Sequence, residues 1–323
     1  FAPYDYTQEN HTRMLWFFEG FTSYYDDRFL LRTGLIDAAT YIKLLNKTVN
    51  QVLATPGRLT YSVAQASFDA WTRYYRPDEN TANATVSYYT KGSLVALALD
   101  LALRELPTSS KPQPSLDGVM QSLWQLGRPI SQADVAKALA DEAGRYPQAL
   151  QVKAGTSVEQ AWQMLLDTWT EQCDELPLPH LLDRLGVAWS SKPAPLPQQW
   201  GMRIQDTNGA AKVQTIMRGG LAERMGLSVG DELLALDGWR IKKADDMAAW
   251  HDAKRTQPLV VCRDQKLLTL SVPATDGSTM SKSKTPKLNA ATPHSATDII
   301  TLSLADLAQA PDKLARRHAW IQT

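Results

Sequence analysis

The chain has 323 residues, enough for about two to three domains at roughly 100–200 residues each. It is 44% hydrophobic and 21% charged, which suits ordinary buried cores. Its 34 Lys+Arg and 34 Asp+Glu cancel, so charge gives no broad reason to expect nucleic acid or an anionic membrane as a partner.

The first 190 residues or so read as helical. Met14, Leu15, Phe18, Phe21, Tyr25 and Phe29 recur at three- and four-residue steps, the period of one long amphipathic helix, with Gly34 as its stop. Asp37 is the expected N-cap of a second helix through Tyr41, Leu44, Leu45, Val49 and Val52, ended by Pro56-Gly57. A third helix is expected from about Ser62 to before Pro77, and residues 77–86 are polar and irregular. A fourth, over about 91–106, is apolar on most sides, as buried helices are. Residues 107–114 read as a loop. Ser115 and Ser131 are expected N-caps, the latter with Asp134 as a short capping box, and a last long helix covers about 157–173.

Near Leu185 the pattern changes to short alternating runs, at 201–205, 213–217, 232–236, 259–263 and 267–272, with short helices at 221–225 and 244–254. Residues 274–298 are rich in Ser, Thr, Lys and Pro, the composition of a flexible linker. A strand at 299–304 and a basic helix at 307–320 close the chain. The expected organisation is therefore a helical domain over 1–190, a small sheet domain over 195–273, a linker, and a strand and helix over 299–323 that return to the sheet domain. No apolar run reaches the ~18 residues of a membrane-spanning helix. Cys173 and Cys262 lie far apart without metal-ligand spacing, and no disulfide is expected between them. The chain begins at Phe1 without a signal peptide, so its true N-terminus is expected upstream and its compartment stays open.

Glu19 stands inside the apolar run Leu15-Trp16-Phe17-Phe18-Glu19-Gly20-Phe21. A carboxylate in such a run either faces solvent, pairs with an arginine such as Arg13 or Arg28, or binds a metal. A second candidate segment is Ser87-Tyr88-Tyr89-Thr90-Lys91-Gly92, at the entry to the buried helix. Its tyrosines are either core aromatics, with Lys91 exposed, or hydrogen-bond donors to developing negative charge. The five histidines, His11, His180, His251, His294 and His318, include no pair spaced for one helix face, and no HExxH occurs. His11 lies about 12 Å along a helix axis from Glu19 at roughly 1.5 Å per residue, too far to share one ion.

The Glu19 run, with the flanking Tyr4-Asp5-Tyr6-Thr7 and Tyr25-Asp26-Asp27, resembles the glycyl aminopeptidase family of gluzincin zinc metallopeptidases. The resemblance implies an α+β multi-domain fold: the α-helical C-terminal part of a thermolysin-like catalytic domain, then a PDZ-like domain. It implies Glu19 as the third Zn ligand and Tyr89 as the donor to the tetrahedral oxyanion. Metal-activated water would cleave N-terminal Gly- or Ala-like residues from peptides. The two His ligands and general base of HExxH are expected upstream of Phe1, so this chain is expected to be inactive alone. Arg76-Pro77-Asp78-Glu79-Asn80 is also similar to the family and reads as a plain loop.

Trp200-Gly201-Met202-Arg203-Ile204 and the run from Leu221 through Gly226, Gly230-Asp231 and Asp237-Gly238 resemble a protease-associated PDZ domain. That implies peptide binding by strand addition along Met202, Arg203 and Ile204, with backbone amides near Trp200 and Gly201 holding a C-terminal carboxylate. The alternative is a domain that packs on the catalytic part and binds nothing. For the whole chain the alternative to an aminopeptidase is a non-catalytic peptide-binding adaptor on a degenerate protease scaffold.

Overall fold

The computed structural model describes residues 3–105, 113–147, 152–275 and 298–322. Most of the expected linker, 276–297, and His294 within it lie outside the described residues.

The helical part runs α1 (Leu15–Arg32), α2 (Ala38–Leu53), α3 (Val63–Phe68), α4 (Thr81–Ala84), α5 (Thr90–Arg104), α6 (Leu116–Gln125), α7 (Gln132–Ala143), α8 (Val158–Thr170) and α9 (Leu178–Asp183). Local chemistry sets several of these starts. Asp37 accepts the Thr40 amide at 2.8 Å at the head of α2. Ser62, Ser131 and Ser157 each form a reciprocal capping box with the residue three positions on. Ser115 precedes α6 without a side-chain cap. The third helix is shorter than its spacing predicts: α3 ends at Phe68 and a π-helical turn, Ala70–Tyr74, follows. The segment expected to be irregular holds the single turn of α4.

Helix α5 is the axis of this part. Residues 91–104 are all buried, polar ones included. Asp100 shows how the charges are accommodated. Its carboxylate accepts from the Tyr24 hydroxyl at 2.7 Å, Arg104 Nε at 3.0 Å and the Leu116 amide at 2.9 Å. Burial alone would raise the Asp100 carboxyl, but the Arg104 and Arg28 guanidiniums and the two hydrogen bonds outweigh it and hold it below the ordinary carboxylate range. A depressed folded-state value means stabilisation that is present above the unfolded value of about 3.9 and lost as pH falls through the folded one. Asp100→Asn is therefore expected to cost about 3–5 kcal/mol at neutral pH by removing the buried carboxylate charge that pairs with Arg104. In urea unfolding, the gap between wild type and variant should close only below about pH 4.

After α9 the chain makes β1 (Val187–Pro193), then α10 (Leu196–Gln199), β2 (Met202–Thr207), β3 (Ala210–Ile216), α11 (Leu221–Arg224), β4 (Glu232–Leu236), β5 (Trp239–Arg240), α12 (Asp246–Trp250), β6 (Gln257–Arg263), β7 (Lys266–Val272), β8 (Asp298–Leu304) and α13 (Pro311–Gln322). Strands β2 to β7 form one antiparallel sheet in the order β2-β3-β4-β6-β7, with β5 beside β4. Asp237-Gly238, both at positive φ, make the tight β4–β5 turn that the sequence predicts. This sheet has its own core around Trp200, Met202, Val213, Leu233, Leu236 and Leu259.

The last strand and helix depart from the expected organisation. They return to the helical part, not to the sheet domain. β8 pairs antiparallel with β1, and Ile300, Leu302 and Trp320 join the helical core. The second edge of β8 is met by side chains of α2. Asn50 exchanges bonds of 2.8 and 2.7 Å with the Ile300 carbonyl and amide, and Asn46 accepts the Leu302 amide at 2.9 Å. Two asparagines one helical turn apart thus take the place of a third strand. The sheet domain is an excursion between β1 and β8. Cys173 and Cys262 are both free thiols. Among the described residues, no helix is long and apolar enough to cross a membrane.

Candidate active site

Helices α1 and α5 cross at two glycines. A methyl group on Gly20 would lie 2.6 Å from the backbone of Gly92, and one on Gly92 would lie 2.6 Å from the Trp16 carbonyl and 2.9 Å from Gly20 Cα. Only glycine allows two backbones so close. Glu19 immediately precedes one crossing residue, and Tyr89 stands one turn before the other, its carbonyl accepting the Ser93 amide at 2.8 Å. The crossing therefore brings the two sequence-predicted site residues to the same place. Both are half-buried.

Their electrostatics agree with that juxtaposition. The Tyr89 hydroxyl is held well above the ordinary phenol value by burial, by the Tyr75 hydroxyl and by the negative charge of Glu19. Tyr89 is thus a neutral donor at any physiological pH. The Glu19 carboxylate has neither a hydrogen bond nor an ion pair among the described residues. Both arginines that could have neutralised it are engaged elsewhere. Arg13 bonds Glu171. Arg28, fully buried, lies against the rings of Tyr41 and Trp320, at 6.0 and 5.6 Å from their centroids. A half-buried carboxylate left without a partner fits a site that expects a cation from elsewhere. Among the described residues, no group of three or more His, Cys, Asp or Glu can hold a metal ion. His11 is not part of the site: its Nδ1 lies 2.9 Å from the Phe68 carbonyl and its ring packs on Phe68.

Sequence reasoning missed the neighbours of Tyr89. The π-helical turn after α3 turns Tyr74 and Tyr75 toward it. Tyr74 lies 4.8 Å from the Tyr88 ring and 5.5 Å from the Tyr89 ring, and Tyr88 donates to the Tyr75 hydroxyl at 3.4 Å. One extra residue in a helical turn is common at functional sites and leaves no mark in hydrophobic periodicity. Lys91 is a correction: the reading of Tyr88 and Tyr89 as core aromatics has it exposed, but it is only 3% exposed because α5 is covered on every side.

The second candidate site lies on β2, an edge strand of its sheet. Met202 is in the core, Ile204 is half-buried and Arg203 is exposed, with its guanidinium 3.4 Å from the Ala54 carbonyl. Two of the amides that would hold a terminal carboxylate already donate within the α10 turn: Trp200 to Leu196 and Gly201 to Gln198, each at 3.0 Å. The helix expected over 244–254 is the five-residue α12, and just before it the Ala244 amide donates to Asp206 at the end of β2 at 2.9 Å.

Residues 1–95 match the M61 glycyl aminopeptidase family model, and residues 189–261 match the PDZ domain model. The chain joins an M61 glycyl aminopeptidase segment to a PDZ domain. Both Glu19 and Tyr89 fall within the M61 match. The structure is similar to a crystal structure of an aminopeptidase N family protein from Idiomarina loihiensis, at TM-score 0.75 and 26% identity over 99% of this chain. The match covers 51% of that protein, so the chain spans about half its length. The PDZ domain of EpsC from Vibrio cholerae aligns at 19% identity over 23% of this chain and 95% of its own, with TM-score 0.20. A photosystem II D1 C-terminal processing protease aligns at 17% identity over 45% of this chain and 44% of its own, with TM-score 0.21. Neither of these two carries weight for the fold. No curated protein sequence matches.

The PDZ domain and the M61 segment meet through Asn83 of α4. Its side chain donates to the Ile216 carbonyl at 2.8 Å and accepts the Arg218 amide at 2.9 Å. Asn83 is itself positioned by Asn80 at 3.1 Å, and Asp78 accepts the Asn80 amide at 3.0 Å. The segment that reads as a plain loop is thus the footing of an inter-domain clamp, six residues before Tyr89.

Proposed function

We propose that this chain is the C-terminal part of a zinc-dependent aminopeptidase that acts on N-terminal Gly- or Ala-like residues of peptides. The observation that carries this reading is the unpartnered Glu19 carboxylate beside the neutral Tyr89 hydroxyl at the glycine crossing of α1 and α5. The M61 match over 1–95 and the aminopeptidase N family neighbour support it. Glu19 would hold the zinc together with the two histidines of an HExxH segment preceding Phe1. When bound, zinc supplies the Lewis acidity that activates water and polarises a carbonyl.

This chain's own residues have two roles. Glu19 contributes one of the negative charges that make a dication stable in a half-buried site. Tyr89 donates its hydroxyl proton in a hydrogen bond to the substrate oxygen on which negative charge develops. Its raised pKa keeps that proton in place through the reaction. The tilted rings of Tyr74 and Tyr88 pack against Tyr89 and limit its movement, so little reorganisation is needed as charge develops.

The test is metal content and hydrolysis of Gly- and Ala-peptides by the protein extended upstream of Phe1 to include HExxH. Stoichiometric zinc, with turnover lost to a chelator and restored by zinc, is the expected result. A verified extended protein with neither zinc nor turnover would sink the reading and leave the adaptor. The adaptor gains nothing from the Trp200 and Gly201 amides, which already have partners.

A further inference from the structure

The π-helical turn after α3 carries more rings than the Tyr89 donor uses. Tyr74 is half-buried, with its ring centroid 5.4 Å from Tyr75 and 5.5 Å from Tyr89. Tyr75 is 58% exposed and Trp71 36% exposed, and their rings lie 6.1 Å apart. Exposure therefore rises from fully buried Tyr88, through half-buried Tyr89 and Tyr74, to Tyr75 and Trp71. The rings form a row that starts at the oxyanion donor and runs outward to solvent.

The two outer rings are held in place although they face water. Trp71 Nε1 donates to the Asn10 carbonyl at 3.2 Å. The Tyr75 hydroxyl accepts from Tyr88 at 3.4 Å and bears on the Tyr89 hydroxyl, and its ring stands edge-on to Tyr74, at 89°. A side chain that is already fixed loses little freedom when a ligand packs on it, and aromatic rings offer large apolar area at such a surface. The planes of Trp71 and Tyr75 are inclined by 51°. A third ring can therefore lie face-on to one while meeting the other at its edge, both favoured geometries for aromatic pairs.

Under the aminopeptidase reading, on which this rests, nothing precedes the residue removed, so the substrate has one way out, beyond the scissile bond. The residue removed is Gly- or Ala-like and too small to reach the outer rings. We infer that Trp71 and Tyr75 form the subsite for the residue just after the scissile bond, and that this subsite takes a flat aromatic side chain in preference to a branched or small one. Tyr89 holds the scissile oxygen at the inner end of the row, and the next side chain lies against the outer rings. A branched aliphatic chain gains the apolar area but not the ring-on-ring contribution, and a methyl group gains little of either.

Hydrolysis of Gly-Phe-Ala, Gly-Leu-Ala and Gly-Ala-Ala by the protein extended upstream of Phe1 tests the subsite. kcat/KM should fall in that order, with Gly-Phe-Ala about tenfold above Gly-Ala-Ala, the scale of one packed ring. Trp71→Ala should bring that ratio down to about threefold or less. Turnover of all three peptides at equal kcat/KM overturns the subsite and leaves the aminopeptidase reading standing; it is also the result if the part upstream of Phe1 covers the rings. Gly-Leu-Ala cleaved as well as Gly-Phe-Ala overturns the preference for a ring, and a wild-type ratio in Trp71→Ala overturns the assignment of Trp71. Turnover of none of the three is the failure of the aminopeptidase reading itself, and the subsite falls with it. The ratios in the unsubstituted protein decide the matter even if Trp71→Ala does not fold.

Discussion

Glu19→Gln, made in the protein that includes the upstream histidines, is expected to lose stoichiometric zinc, while Tyr89→Phe keeps it. The two substitutions remove different things from one place. A glutamine in place of Glu19 cannot supply charge, and a dication held by two neutral imidazoles alone is poorly compensated in a half-buried site. The loss in zinc affinity should exceed the roughly 10–100-fold typical of outer-shell partners. Activity should fall to background at zinc concentrations that saturate the wild type. Tyr89→Phe preserves the ring contacts with Tyr74 and Tyr88 and deletes only the hydroxyl. Its expected effect is a fall in kcat of about 10²–10³-fold with little change in KM, the signature of a donor used mainly in the transition state. Because burial, Tyr75 and Glu19 all raise the Tyr89 hydroxyl, the wild type should show no alkaline loss of activity from this group below about pH 10. Equal zinc content in wild type and Glu19→Gln would remove Glu19 from the ligand set. A Tyr89→Phe variant with full kcat would make Tyr89 a packing residue.

What the sequence makes legible follows from what is local. The long helices α1 and α5, the serine capping boxes and the Asp237-Gly238 turn all rest on contacts within a few residues, but the buried face of α1 is Trp16, Phe17, Phe21, Tyr24 and Leu31, one step round from the expected stripe, and Phe29 is exposed. Glu19 and Tyr89 are legible only through family resemblance, because composition alone leaves each with an ordinary structural explanation. The structure weakens those ordinary explanations by showing where Arg13 and Arg28 go. Other features depend on pairing at long range. Ser190 of β1 bonds the Thr301 carbonyl across 111 residues, and nothing in the alternation of β1 announces its partner. The return of Trp320 to the helical core is hidden for the same reason. The π turn that delivers Tyr74 and Tyr75 is hidden because one inserted residue shifts the helical phase without changing composition.

The glycines of the two site motifs have a physical reason, and it yields the largest expected loss of stability. Gly→Ala in a helix interior ordinarily gains about 1 kcal/mol from propensity. At Gly92 the added methyl would sit 2.6 Å from the Trp16 carbonyl oxygen and 2.9 Å from Gly20 Cα. Both obstacles are backbone atoms of α1, so no side chain can rotate aside, and the helices must separate. Overpacking of this kind costs about 1–3 kcal/mol where side chains can adjust, and the value here belongs at or above the top of that range. Gly92→Ala is therefore expected to destabilise by about 3 kcal/mol or more in spite of the propensity gain. Gly118→Ala in α6 is the contrast, since the nearest atoms its methyl would meet are those of the carboxylate end of Glu142. A change within about 1 kcal/mol is expected there, because a flexible side chain can yield. Urea midpoints of the two variants, measured side by side at neutral pH, decide the matter. A Gly92→Ala chain as stable as Gly118→Ala would mean that α1 and α5 do not touch at their glycines. The account of how Glu19 and Tyr89 come together would then fail with it.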